Sequence, residues 1–167
     1  KEILATYNLK LVGVNQHIGS NFLDGTPYLE AARRLLSIAE QFNTVCTIDF
    51  GGGFGISYEE SARQKRIDLD HFGKQLCKLV SDWQNKTGWN GTFKVEPGRY
   101  VVAECGVLLG TVHAVKTAYD HTYYGTDIGF NVLHRPVMYD AYHEVALYPA
   151  QNGSKESKTV QASVVGN

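Results

Sequence analysis

Three short segments bring together residue types that chemistry uses. Glu96-Pro97-Gly98-Arg99 sets a carboxylate three residues ahead of a guanidinium. At the end of a strand, that pair can hold a cationic ring and an anionic group side by side. Taken alone it reads better as an ion pair closing a loop. Gly51-Gly52-Gly53-Phe54-Gly55 frees a run of backbone amides from side chains, and such amides can converge on a phosphate. Gly51 and Gly53 begin a G-x-G pattern, but Ile56 stands where the last glycine of a dinucleotide fingerprint belongs, and no Gly-Lys-Ser/Thr follows. In His17-Ile18-Gly19-Ser20 the imidazole can stack on a flat heterocycle and the hydroxyl can reach a phosphate. A single histidine of this kind more often serves structure.

The elements that must position these loops follow from periodicity. Residues 9–16 form a short apolar stretch ending just before His17, as a buried strand does. From Pro27, the residues Leu29, Ala32, Leu36, Ala39 and Phe42 recur at helical spacing, with Thr26 expected as N-cap and Pro27 at the first helical position. Residues 45–50 are again strand-like and run into the glycines. A second helix is expected from Leu69, using Phe72, Leu76, Leu79, Val80 and Trp83 and stopping at Thr87-Gly88; a third strand, residues 92–95, leads into Glu96. Strand–helix–strand–helix–strand predicts an α/β fold with a parallel sheet, open or closed into a barrel. In either form active sites lie at the carboxyl ends of the strands, where all three loops fall.

After residue 100 the texture changes. Residues 107–117, 143–148 and 159–165 are β-rich, 151–154 read as a turn, and no long helix stands between them. The expected division is residues 1–103 and residues 104–167, the second mainly β.

Hydrophobic residues make up 43% of the chain and charged residues 20%, the profile of a globular protein. The net charge of −1, from 16 basic and 17 acidic side chains, offers no electrostatic reason for a nucleic-acid or anionic-membrane partner. Cys46, Cys77 and Cys105 are odd in number and far apart, so neither a metal site nor a disulfide framework is expected; they read as buried or idle thiols in a reducing cytoplasm. The start at Lys1 carries no signal-peptide pattern and reads as a chain already under way.

In this order, HIGS, GGG and EPGR together resemble the motifs on the late strands of the alanine-racemase-like (β/α)8 barrels, the fold-type III pyridoxal-phosphate decarboxylases. A fourth segment, Arg135-Pro136-Val137-Met138-Tyr139-Asp140-Ala141-Tyr142-His143-Glu144, resembles the RPALYDAYHE run of that family's diaminopimelate-decarboxylating branch, and Gly129-Phe130-Asn131 resembles the GMN ahead of it. The resemblance spans essentially the whole chain. It implies the late part of a TIM-type barrel followed by the start of a mainly β, Greek-key-like domain, with pyridoxal 5'-phosphate as cofactor.

The same resemblance implies roles. His17 would pack on the pyridine ring, Ser20 and Gly51, Gly52 and Gly53 would hold the phosphate, and Glu96 would pair with the ring nitrogen, which makes His17 and Glu96 the expected catalytic residues. Pro97, Gly98 and Arg99 belong to the cofactor loop; Arg99, Arg135 and Tyr139 would contact the substrate's distal end. The implied reaction converts meso-2,6-diaminopimelate to L-lysine and carbon dioxide, in a cytoplasmic homodimer with shared active sites. Val132 and His134 depart from the family pattern beside Arg135, so another amino acid or a carrier-bound substrate is the second reading, and a non-catalytic binding homologue the third. The family's cofactor-linking lysine lies upstream of Lys1, and its Cys-Glu pair beyond the last strand. Lys94 shares a strand face with Glu96 but should sit deeper. The isolated chain is therefore expected to be inactive.

Overall fold

The computed structural model describes residues 1–59, 65–148 and 161–166. They form two compact units, Lys1–Gly106 and Val107–Asn167.

The first unit opens with a short helix, α1 (Glu2–Thr6), and is built on three strands, β1 (Gly13–Asn15), β2 (Thr47–Gly52) and β3 (Thr92–Glu96). They lie side by side in chain order, all parallel. The connections carry α2 (Thr26–Ala39) and α3 (Leu69–Thr87), so the unit is strand–helix–strand–helix–strand, as consecutive strands of a (β/α)8 wall are. β1 is shorter than the apolar run suggested, covering only its last part.

An aspartate carboxylate serves the start of both helices. Asp68 accepts the His71 amide at 2.9 Å and caps α3. At α2 the expectation of Thr26 as N-cap is corrected. Gly25 holds the cap position, and the Asp24 carboxylate takes both the Thr26 amide (2.9 Å) and its hydroxyl (2.8 Å). A carboxylate is the stronger acceptor for an orphan amide in the positive end of a helix, so it displaces the threonine from that duty. Phe42 lies past the end of α2, in a turn, but still packs against the core.

The apolar faces of α2 and α3 cover one face of the sheet. Tyr28, Leu29, Ala32, Leu35, Leu36 and Ala39 meet Ile48 and Phe50 of β2 and Phe72 and Trp83 of α3, all buried. Phe22, Tyr28, Phe54 and Phe72 form an aromatic group with centroids 5.2–5.7 Å apart, tilted or edge-on as ring quadrupoles favour. Side chains alternate along a strand, so the face away from the helices carries Gly13, Thr47 and Thr92 in one row and Asn15, Asp49 and Lys94 in the next.

Gly73 lies inside α3 where an added Cβ would meet nothing within 4 Å. Glycine there costs backbone entropy without serving any contact. Gly73→Ala is expected to stabilise the full-length protein by about 0.5–1 kcal/mol, seen as a raised Tm in a thermal melt.

A short helix, α4 (Gly98–Val102), follows β3. The second unit pairs β4 (Val112–Ala118) with β5 (His121–Thr126) as an antiparallel hairpin, and β6 (Ala162–Val165) adds to β5 in parallel. The hairpin turns on Tyr119 and Asp120, at φ 51° and 62°, the left-handed pair that matches strand twist. One reading of the sequence needs correction. Residues 143–148 are not a strand, and a short helix, α5 (Arg135–Tyr139), stands in the segment that carries the fourth motif. The apolar residues there are mostly exposed, so burial on a sheet does not impose the extended form that their type favours. The expected turn at 151–154 and the first residues of the expected strand at 159–165 lie outside the described residues.

Candidate cofactor-binding site

β1, β2 and β3 end together, and their carboxyl ends deliver His17, the glycine run and Glu96 to one edge of the sheet. The three loops interlock through backbone contacts that only glycine allows. Gly51 and Gly53 have φ of 73° and 98°. An added Cβ would stand 2.0 Å from the Gln16 carbonyl oxygen at Gly51, 2.0 Å from that of Glu96 at Gly52, and 2.2 Å from that of Gly19 at Gly53. Each glycine of the middle loop is therefore pressed against the first or the third.

A bulge creates this arrangement. Asp49 pairs with Lys94, but the next pair is Gly52 with Glu96, so β2 spends one residue more than β3 between them. Strict alternation would have set Gly51 against Glu96. The extra residue turns Gly51 out of the ladder and brings Gly52 to the acid.

Gly51 is held at both ends. Its amide donates to Asp49 Oδ1 at 2.9 Å, and its carbonyl accepts from the Tyr28 hydroxyl at 3.1 Å. Tyr28 is fully buried, and its phenol is raised well above its ordinary pKa by burial first and then by the Asp49 and Glu96 charges. It therefore stays a donor. Further along, Phe22 donates to Gly53 O (3.0 Å), Gly55 donates to Phe22 O (2.9 Å), and Ile56 donates to Asn21 Oδ1 (3.1 Å).

Around this frame the polar side chains face solvent. His17, Ser20 and Glu96 are exposed, and Arg99 is half-buried. Arg99 donates through Nη2 to Ser20 Oγ at 2.8 Å, joining the first and third loops, and its guanidinium lies 5.7 Å from the Tyr58 ring centroid. Pro97 caps α4 and Gly98 is its first residue. Lys94 is exposed one pleat below Glu96, the deeper place that alternation gives it. Cys46, Cys77 and Cys105 are free and exposed, and no cluster of metal-ligating side chains occurs among the described residues.

Arg135 and Tyr139 begin and end α5 in the second unit. Arg135 Nη1 lies 3.0 Å from His143 Nε2. Arginine can only donate, so this nitrogen accepts and the imidazole is neutral. The His143 pKa is lowered accordingly, by burial and then by the Arg135 charge. His134 caps α5, edge-on to Phe130 and Tyr139, and Val132 is exposed.

The donor set fits pyridoxal phosphate. A glycine cradle with a hydroxyl and a guanidinium beside it suits a phosphate dianion, and a carboxylate on the neighbouring strand suits a protonated ring nitrogen. Sequence reasoning missed Tyr28, Asp49, Asn21 and Tyr58. Asp49 had a signal, as the one charge inside an apolar strand; the other three had none.

Comparison with known proteins agrees with this assignment. Residues 1–103 match the family described as pyridoxal-dependent decarboxylase, pyridoxal binding domain. The diaminopimelate decarboxylase of Zymomonas mobilis is 33% identical over 171 aligned positions, covering 99% of this chain and 38% of that protein. A crystal structure of diaminopimelate decarboxylase superposes with a TM-score of 0.84 at 28% identity, covering 99% of this chain and 39% of the other. The diaminopimelate decarboxylase of Helicobacter pylori complexed with L-lysine gives a TM-score of 0.72 at 31% identity, over 95% of this chain and 37% of that one. The chain thus spans under two fifths of the length of these relatives. With the glycine cradle, the acid on the adjoining strand and the family match all falling in residues 1–103, the chain belongs to the pyridoxal-dependent decarboxylases, and that segment is pyridoxal-binding domain.

Proposed function

We propose that this chain is the middle-to-late part of a decarboxylase that converts meso-2,6-diaminopimelate to L-lysine and carbon dioxide. The interlocking of the HIGS, GGG and EPGR loops at one sheet edge carries the proposal, since it makes one site of three separate motifs. When bound, pyridoxal phosphate supplies an electron sink for the carbon that loses carbon dioxide.

The chain's own residues do the rest. The loop of Gly51, Gly52 and Gly53, with Ser20, receives the phosphate, the Gly51 amide itself being held by Asp49. His17 packs on the ring. Glu96 accepts a hydrogen bond from the protonated ring nitrogen and keeps the proton there. Pro97 and Gly98 carry the loop from this acid to Arg99. Arg99, tied to Ser20, meets a carboxylate of the substrate. Arg135 and Tyr139 take the distal amino-acid head, and the neutral His143 orients the Arg135 guanidinium.

A substrate with a second carboxylate explains why arginines are used, because a guanidinium binds a carboxylate through two parallel hydrogen bonds. Arg135→Lys is accordingly expected to raise the KM for meso-diaminopimelate roughly tenfold or more, with kcat less affected, in steady-state kinetics of the full-length protein. The names of the relatives favour this substrate over another amino acid. We place the working enzyme in the cytoplasm as a homodimer with shared active sites. Among the described residues no helix is long and apolar enough to cross a membrane.

Carbon dioxide release from meso-diaminopimelate by the full-length protein with pyridoxal phosphate tests the reading. Release only from a different amino acid would overturn the substrate assignment. Cofactor binding with no release from any amino acid would overturn the enzyme assignment in favour of a binding homologue.

A further inference from the structure

The middle glycine loop is not held by its own conformation. Gly51 sits at φ 73° inside a bulge, a geometry with little ladder support, yet it is gripped from two sides. Asp49 fixes its amide and Tyr28 fixes its carbonyl. The two grips come from different elements: Asp49 lies two residues back on β2, on the face away from the helices, while Tyr28 reaches in from the first turn of α2. Between them they set the plane of both peptide groups that flank Gly51.

We propose that Tyr28 and Asp49 are positioning residues that preorganise the glycine loop for the cofactor's phosphate. The inference rests on the reading of Gly51, Gly52 and Gly53 as the phosphate cradle and deepens it. Neither side chain needs to touch the cofactor. Tyr28 is fully buried against Phe22, Phe54 and Phe72, and Asp49 stands one pleat below the loop. Their effect is to aim backbone amides, so it belongs to the phosphate and not to the ring. A loop that wanders must be ordered anew each time a phosphate binds, and that cost appears as lost affinity.

The test is to compare pyridoxal 5'-phosphate with pyridoxal, which lacks the phosphate, as ligands of the full-length apoprotein by equilibrium dialysis. Tyr28→Phe keeps the ring packing and removes only the donor. Asp49→Ala removes the acceptor, and Asp49→Asn retains an amide oxygen in its place. Tyr28→Phe and Asp49→Ala should each raise the Kd for pyridoxal phosphate about 3- to 10-fold, the effect of one hydrogen bond, and leave that for pyridoxal unchanged. Asp49→Asn should recover most of the loss.

Equal losses for both ligands, or no loss for either, would overturn the inference while leaving the proposed function standing. So would an Asp49→Asn variant as weak as Asp49→Ala. Failure of the unaltered protein to bind pyridoxal phosphate would instead sink the proposed function, and this inference with it. If Tyr28→Phe does not fold, the Asp49 pair decides alone.

Discussion

Glu96→Gln is expected to lower kcat of the full-length protein roughly 10- to 150-fold, while the Kd for pyridoxal phosphate changes by less than about threefold. The asymmetry follows from where Glu96 sits. It ends β3, exposed, with its backbone against Gly52 and its carboxylate at the edge where the three loops meet. On the proposed reading, docking depends mainly on the glycine loop, which this substitution leaves intact. In the proposed role Glu96 holds a proton at the ring nitrogen, and an amide lacks the charge to do so. A charge-assisted hydrogen bond contributes about 1.5–3 kcal/mol, which sets the range of the expected rate loss. Steady-state kinetics together with equilibrium dialysis would check it. A variant that loses affinity and rate in equal measure would show that Glu96 serves binding alone.

Gly52→Ala is expected to weaken cofactor binding markedly. Its Cβ would stand 2.0 Å from the Glu96 carbonyl oxygen and 3.0 Å from that carbonyl's carbon. Both are backbone atoms of an adjacent paired strand, so no side chain can swing aside. The strands must part at the place where the cradle meets the acid. Overpacking of this kind costs about 1–3 kcal/mol, which corresponds to a roughly 5- to 150-fold loss if it falls on cofactor binding. The same methyl at Gly73 meets open space, so Gly73→Ala is the natural control. Dialysis against pyridoxal phosphate and a thermal melt of both variants would separate the outcomes. An alanine at position 52 that binds normally would mean that the close approach of β2 to β3 is not needed.

The residues of the proposed site were legible because they are concentrated in contiguous motifs. His17, Ser20, the glycines, Glu96 and Arg99 each sit in an uncommon local sequence at a strand end. The strand and helix periods around them were clean enough to predict a parallel sheet and its active edge. What did not show in the sequence is of two kinds. Tyr28 looks like any apolar residue at the start of a helix, and its role appears only when its hydroxyl meets Gly51, 23 residues away in sequence. Tyr58 likewise reaches Arg99 only through folding. In the second unit, residues of strand-forming type at 143–148 are not in a strand, because β propensity needs a sheet to pair with.

The sequence by itself determined which residue types end each strand, and so the class of cofactor they can hold. Side-chain chemistry and the two periods are local properties, readable residue by residue. Only the tertiary structure decided that Gly52, and not Gly51, faces Glu96. That choice rests on one extra residue in β2, and a bulge is a matter of how two chain segments distant in sequence fall into register. It likewise decided that Asp49 and Tyr28 close on the same peptide. Nothing in either residue's neighbourhood along the chain points to the other; they meet because α2 packs its first turn over the carboxyl end of β2.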